Sequence, residues 1–382
     1  MRTGTKIGVF SIPFVAGLVL FSSPAAAAFQ GSNGKIAFTS DRDGNNEIYS
    51  MNADGSGQAN LTRNGASDFG AAWSPDGTRI AFTSDRDGGW EVFVMNADGS
   101  SPVNLSHNAA LDWNPAWSPD GSKIAFTSFR AGGGEIFTMR ADGTGVEQLT
   151  HNTFYDRHPK WSPDGSRIAF ESYRNENWEI LVMNADGTGE TQLTTNDAYD
   201  FEPDWSPDSQ ELAWRTGLFD GVGDVAVMTA SGAGVVNLTH DPAYDREPAW
   251  APDGTRIAYA SVQSDNFDIR VMNPDGTGKL TVTTSHGNDY DPDWQPLGSA
   301  PLFALTVVRQ GSGKGSVRST PAGIQCGSDC SESYLGGTSV TLSASSKRGS
   351  TFAGWGGACS GVGSCVVTVD AAKTVTATFT RL

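Results

Sequence analysis

Apolar residues along the chain recur in short alternating runs, without the three-to-four spacing of amphipathic helices. Ile80-Ala81-Phe82, Ile124-Ala125-Phe126, Ile168-Ala169-Phe170, Leu212-Ala213-Trp214 and Ile257-Ala258-Tyr259 are such runs. Each follows a tryptophan and a Pro-Asp-Gly-type turn. The tryptophans are Trp73, Trp117, Trp161, Trp205, Trp250 and Trp294, at steps of 44, 44, 44, 45 and 44 residues. After each run comes a polar loop, then a second apolar run ending in Met. An Asp-Gly turn (Ser231-Gly232 in one unit) and a short segment such as Gln148-Leu149-Thr150 close the unit. Four short antiparallel strands in a fixed period of this size predict the blade of a β-propeller. Met51, Met95, Met139, Met183, Met228 and Met272 share one repeat position, predicted to be core between blades.

The two ends of this pattern complement each other. Lys35-Ile36-Ala37-Phe38 is a first run with no tryptophan segment before it. Asp289–Gly298, DYDPDWQPLG, is a tryptophan segment with no run after it. Joined, they make one unit. The expected fold is therefore all-β: a six-bladed β-propeller with strand-exchange (velcro) closure, in which Asp289–Gln295 pairs with the strand from Lys35.

Composition adds the flanks. Residues 1–28 read as a secretory signal peptide: Arg2 and Lys6, an apolar stretch from Ile7 to Phe21, then Ala25 to Ala28. No other long apolar run exists, so no membrane span is expected in the mature chain. The expected division is 29–298 propeller, 299–302 linker and 303–382 a small disulfide-containing β domain. All four cysteines lie in the last part, as Cys326, Cys330, Cys359 and Cys365. They allow three connectivities, and the local pairing Cys326–Cys330 with Cys359–Cys365 is the expected one.

Charge narrows the partners. The chain carries a net charge of −17, and without the leader's two cations −19. From Ala300 onward the net is +4, which leaves −23 on the middle. Such a surface excludes nucleic acid and anionic membrane as partners. It favours cationic or neutral ones.

The units W-S-P-D-G-x-[RK]-I-A-F and M-N-A-D-G-[ST]-G resemble the TolB-type WD40-like (PD40) repeat over residues 29–298. TolB places an α/β domain ahead of its propeller, whereas here the repeats follow the leader directly. Residues 303–382 resemble the divergent internalin-B-like B-repeat, through Ser319–Cys330, Phe352–Cys365 and Ala371–Phe379. The resemblances imply an exported bacterial protein, periplasmic, surface-bound or secreted, with a binding platform and an extracellular β module. Trp355 and Phe352 are expected in the core of that module.

In a propeller blade the segment before the tryptophan lines the channel, on the face that also gathers the variable loops. Five residues before each tryptophan stands an aspartate: Asp68, Asp112, Asp156, Asp200, Asp245 and Asp289. Such a ring suggests a Ca²⁺ site at the channel mouth or, equally periodic, a turn-forming residue. Symmetry favours the turn, since a residue in every unit belongs to the unit's construction. An acid also precedes each second run: Glu47, Glu91, Glu135, Glu179, Asp224 and Asp268. Arg42, Arg86, Arg130 and Arg174 stand five residues before four of these, which suggests ion pairs.

Positions that differ between units point to recognition. Three residues before the tryptophan stand Gly70, Asn114, His158, Glu202, Glu247 and Asp291. The last three form an acidic arc. Aromatic residues crowd the same loops, among them Trp90, Trp113, Trp178, Tyr199 and Tyr244. An acidic, aromatic face suits a protein or peptide with a basic segment. A glycan stacked on the rings, or cleaved by Glu202 and Glu247, is the alternative. No nucleophile elbow or zinc-protease motif occurs in the sequence. The expected protein is non-catalytic and requires no cofactor.

Overall fold

The computed structural model describes residues 31–382, apart from 220–221, 263–264, 299–301, 321–323, 327–329, 336–337 and 370–371. The leader lies outside the described residues, as do residues 299–301 of the expected linker. Among the described residues all regular structure is strand. Among these residues no helix is long and apolar enough to cross a membrane.

Residues 31–298 form six four-stranded antiparallel sheets. In one, Asp68–Trp73 pairs with Arg79–Ser84, which pairs with Glu91–Asn96, which pairs with Val103–Asn104. The first sheet is assembled from both ends of this region. Asp289–Gly298 lies against Gly31–Ser40, with Ile36 opposite Trp294 and Ser40 opposite Asp289. The first strand starts at Gly31, earlier than Lys35, because Gly31–Asn33 also pair with Pro296–Gly298.

Each sheet is buried on both faces, which explains the near-continuous apolar runs. Large side chains of one sheet enter a bed of small ones on the sheet before it. Trp73, Ile80, Phe82 and Met95 pack on Ala37 and Ile48 of the first sheet. On the opposite face, Ala81, Val92 and Val94 receive Trp117, Ile124, Phe126 and Met139. The alternation Ile-Ala-Phe is thus large-small-large across two interfaces. Six such clusters join successive sheets, and one unites Ile36, Phe38 and Met51 of the first sheet with Ala249, Ile269 and Val282 of the sixth. The six methionines are buried in them, as expected.

The Asp-Gly turns are fixed by the same stacking. Gly99 has φ +85°, and a Cβ there would stand 2.3 Å from the carbonyl oxygen of Leu61 in the neighbouring sheet. Left-handed backbone and close approach both demand glycine.

From Leu302 onward two further four-stranded sheets share a core of Leu305, Val307, Val317, Leu342, Trp355 and Phe379. Leu302–Gln310 runs parallel to Lys373–Arg381. Cys326 is bonded to Cys330 and Cys359 to Cys365, the local pairing.

Candidate functional site

Three residues ahead of each tryptophan the backbone turns left-handed. Gly70 has φ +64°, and Asn114, His158, Glu202, Glu247 and Asp291 lie between +50° and +56°. Pairing with the next strand lapses there, between Phe69 and Ala72 and at the matching places in the five other inner strands. One residue from each of the six sheets thereby reaches a single small cavity, backed by Pro115, Pro159, Pro203, Pro248 and Pro292. Left-handed backbone costs a non-glycine residue about 1–2 kcal/mol. Gly70 suits this backbone without strain, whereas His158, Glu202, Glu247 and Asp291 place ionisable side chains there.

Each left-handed amide is held by the preceding sheet. Gly70, Asn114 and His158 donate to the hydroxyls of Thr39, Thr83 and Thr127 at 3.3, 3.1 and 3.2 Å. Glu202 donates to Glu171 at 2.8 Å. At the next two matching positions stand Arg215 and Ala260, which carry no acceptor. There the arc serves itself: the Glu247 amide donates to Glu202 at 2.9 Å and the Asp291 amide to Glu247 at 2.7 Å. Two of the three acids therefore fasten the backbone of the next unit.

The arc also comes with its own cations. Arg157 pairs with Glu171, which accepts His158 Nδ1 at 2.8 Å. Arg215 Nε lies 3.4 Å from Glu202, and Arg246 Nε lies 3.2 Å from Glu247. The three guanidinium groups stack over Trp178, Phe201 and Phe267 at 4.1, 4.0 and 4.3 Å. Burial alone would raise the Glu171 carboxyl, but His158, Arg157 and the Glu202 amide hold it at about 2. Glu247 is pushed well up, by burial first and then by the charges of Asp291 and Glu202. The acids and rings expected to face a partner's basic segment are in contact with this chain's own arginines. Glu202 and Glu247 are partnered by Arg215 and Arg246 because a buried carboxylate needs a partner within the fold.

Most of the candidate rings are packing. Trp90 meets Phe69 edge-on at 4.9 Å, and Trp113 meets Phe129 at 5.3 Å. Trp178 lies between Tyr155 and Phe201, and the Tyr244 hydroxyl is bonded to Arg215. Tyr199 differs, being 54% exposed.

Deeper in the channel, one residue before the tryptophan, Ala72, Ala116 and Ala249 share a position with Lys160, Asp204 and Asp293. Lys160 Nζ lies 4.0 Å from Asp204. Asp204 and Asp293 accept the amides of Trp250 and Trp73, each at 2.7 Å. Burial raises Asp293 to about 6, with Lys160 opposing and Asp204 reinforcing the shift. Charges in an alanine column were the signal that could have revealed this cluster. The folded state thus holds a proton on Asp293 that the unfolded chain releases near its ordinary pKa. Stability on this account falls as pH rises from about 4 to about 6. Asp293→Asn is expected to flatten the melting-temperature profile across that window, and an unchanged slope would count against the assignment.

The six aspartates five before the tryptophan are all fully buried within their own sheets and do not line the channel cavity. Arg42 clasps Asp289 with two bonds of 2.8 and 2.9 Å, and Arg86 clasps Asp68 at 2.9 and 3.0 Å. Arg130 reaches Asp112 at 2.7 Å, and Arg174 lies 3.7 Å from Asp156. Asp200 accepts the Trp214 indole at 2.9 Å. Asp245 has no arginine at the matching position, and burial raises it to about 6. Among the described residues no three acids, histidines or cysteines converge as metal ligands. The arginines thus pair with this row and not with the acids before the second strands. Those bind hydroxyls and amides, as when Glu135 accepts Thr150 at 2.5 Å and Glu47 the Asn64 amide at 2.9 Å. Arg86→Ala leaves a buried carboxylate short of donors and is expected to destabilise the fold by about 1–3 kcal/mol. Chemical denaturation of that variant reads the difference directly.

The family model of the TolB beta propeller domain matches residues 20–103, 86–161 and 155–314. The chain belongs to the TolB β-propeller domain family. Residues 305–382 match the divergent InlB B-repeat domain. Among solved structures, TolB from Acinetobacter baumannii is similar with a TM-score of 0.63 at 21% identity, covering 69% of this chain and 67% of that one. Putative TolB from Agrobacterium tumefaciens gives 0.56 at 21% identity, covering 69% and 91%. Kuenenia stuttgartiensis hydrazine synthase gives 0.59 at 14% identity, covering 88% and 68%. At these identities the likeness shows the fold alone, and an enzyme among the neighbours of a TolB-type propeller shows how little the fold decides. No curated protein matches the chain.

Proposed function

We propose that this TolB-type propeller is an exported, non-catalytic scaffold that docks a protein or peptide partner on its channel-mouth face. In this reading six blades form a ring over residues 29–298, closed where Asp289–Gly298 joins the first sheet. A short connection at 299–302 leads to the InlB-like module at 303–382. The packing of the first sheet on the sixth supports the ring.

One observation carries the docking reading. Phe154, Leu218 and Phe219, the last 45% exposed, stand on loops at the channel-mouth ends of the strands, and Tyr173 stands near the end of one such strand. Exposed large apolar side chains gathered on one face mark a protein contact. Glu202 and Glu247 are engaged in fastening backbone, which supports a non-catalytic role. No cofactor or metal is part of the reading. The net charge of −23 on the middle of the chain favours a partner with a basic segment. With Glu202 and Glu247 already partnered by Arg215 and Arg246, that charge acts on the approach and apolar contact on the residence.

The test is capture from envelope extract on the full mature chain, set beside Leu218→Ser with Phe219→Ser. The expected result is a partner retained by the parent and lost by the double variant, with association slowed by salt. Equal retention on both proteins would refute the assignment of the face.

A further inference from the structure

Beside the channel mouth lies a second, larger hollow of about 1100 Å³. One wall is a hairpin unlike those of the other sheets. Arg167–Arg174 and Asn177–Asn184 are eight-residue strands, where the matching strands elsewhere are mostly six or fewer. Asn175 and Glu176 join them in a two-residue turn, both left-handed at φ 50° and 65°. The longer strands carry this hairpin beyond the matching ones. The floor and second wall come from Thr195–Tyr199, with Tyr244 and Arg215 opposite.

The chemistry of the lining is specific. Its inner charges are spoken for: Glu179 accepts Thr194 at 2.6 Å and Asn177 at 3.1 Å, and Arg215 is held by Tyr244 and Glu202. No side-chain hydrogen bond within the described residues engages Asn175, Glu176, Thr195, Asp197 or Tyr199. What the hollow offers is therefore an amide, two hydroxyls, two rim carboxylates and an exposed aromatic ring. Carboxylates and amides bind hydroxyl groups, and a tyrosine face stacks on the apolar face of a sugar ring. Arg167–Arg174 is paired on both sides, so this wall offers no free strand edge to a peptide.

We propose that this hollow binds an uncharged oligosaccharide of a few sugar units, stacked on Tyr199 between the Asn175-Glu176 hairpin and Tyr244. The size exceeds what one sugar fills and matches the upper range of ligand sites. Glu176 and Asp197 at the rim repel anionic glycans, so selectivity against uronic-acid polymers is built in. The site stands whether or not a protein docks on the same face.

The test is calorimetric titration of the full mature chain with four uncharged tetrasaccharides, the cello-, chito-, malto- and xylo-series, and with tetragalacturonate. At least one uncharged tetramer is expected to bind at millimolar or lower concentration, unchanged between low and high salt. Tetragalacturonate is expected not to bind. Tyr199→Ala should weaken binding about tenfold, and Tyr199→Phe should restore it to within about threefold. Tyr199 is exposed, so both variants retain the fold, and their melting temperatures check this. No binding by any uncharged tetramer, or binding indifferent to Tyr199→Ala, overturns the proposal. So does salt-sensitive binding of a tetralysine peptide lost in Asp197→Asn, which would make the hollow a cation site. None of these outcomes bears on partner capture through Leu218 and Phe219.

Discussion

Trp205→Ala is expected to lower the stability of the propeller by roughly 3–5 kcal/mol. The indole is 3% exposed and fills the interface between two sheets, among Ala169, Ile180, Val182 and Leu212. Its Nε1 donates to the carbonyl of Lys160 in the preceding sheet at 3.1 Å. Alanine leaves a cavity that stacked sheets cannot close without moving the whole array, and it strands a buried carbonyl. Urea denaturation gives the number. A midpoint equal to that of the parent would mean that the tryptophans are ornaments of the repeat and not its interblade core.

Removing residues 289–298 is expected to do more. The first sheet then loses its inner strand and Trp294. Arg42 loses Asp289, and the amide of Trp73 loses Asp293. Two interfaces open together, on either side of that sheet. The loss exceeds the roughly 5–15 kcal/mol that stabilises a typical domain. Circular dichroism of the shortened chain should show no cooperative melting of the propeller. A sharp transition near that of the full chain would mean that the six sheets stand without the exchange strand.

The repeat was legible because its period, its tryptophans and its large-small-large runs all serve one interface, copied six times. The cysteine pairs were legible because short loops admit local bridges. The site was less so. Asp68 and Glu91 are equally periodic, and spacing alone gives Arg86 to either. The register does not separate them, since both lie opposite Ser84; the side-chain bonds do, with Arg86 donating to Asp68 at 2.9 and 3.0 Å. The bulge misled in the same way. Plain alternation would place residues five, three and one before the tryptophan on one side of the strand. The left-handed residue breaks that phase, buries the aspartates and leaves the other two at the channel. Lys160, Asp204 and Asp293 escaped notice because their column reads as alanine in the other units. Arg157, Arg215 and Arg246 were not legible because none stands at a position that is arginine in every unit, and only the fold brings them against the acids and rings they partner.

The exchange strand has a further consequence, in time. Lys35 and its partner Gln295 are 260 residues apart in sequence. At a synthesis rate of about 5–20 residues per second, the first strand waits some tens of seconds for the last. Throughout that interval it presents an unpaired edge, the feature most prone to join the wrong chain. The propeller is therefore most exposed to error before it is finished, and its final ten residues decide when that exposure ends.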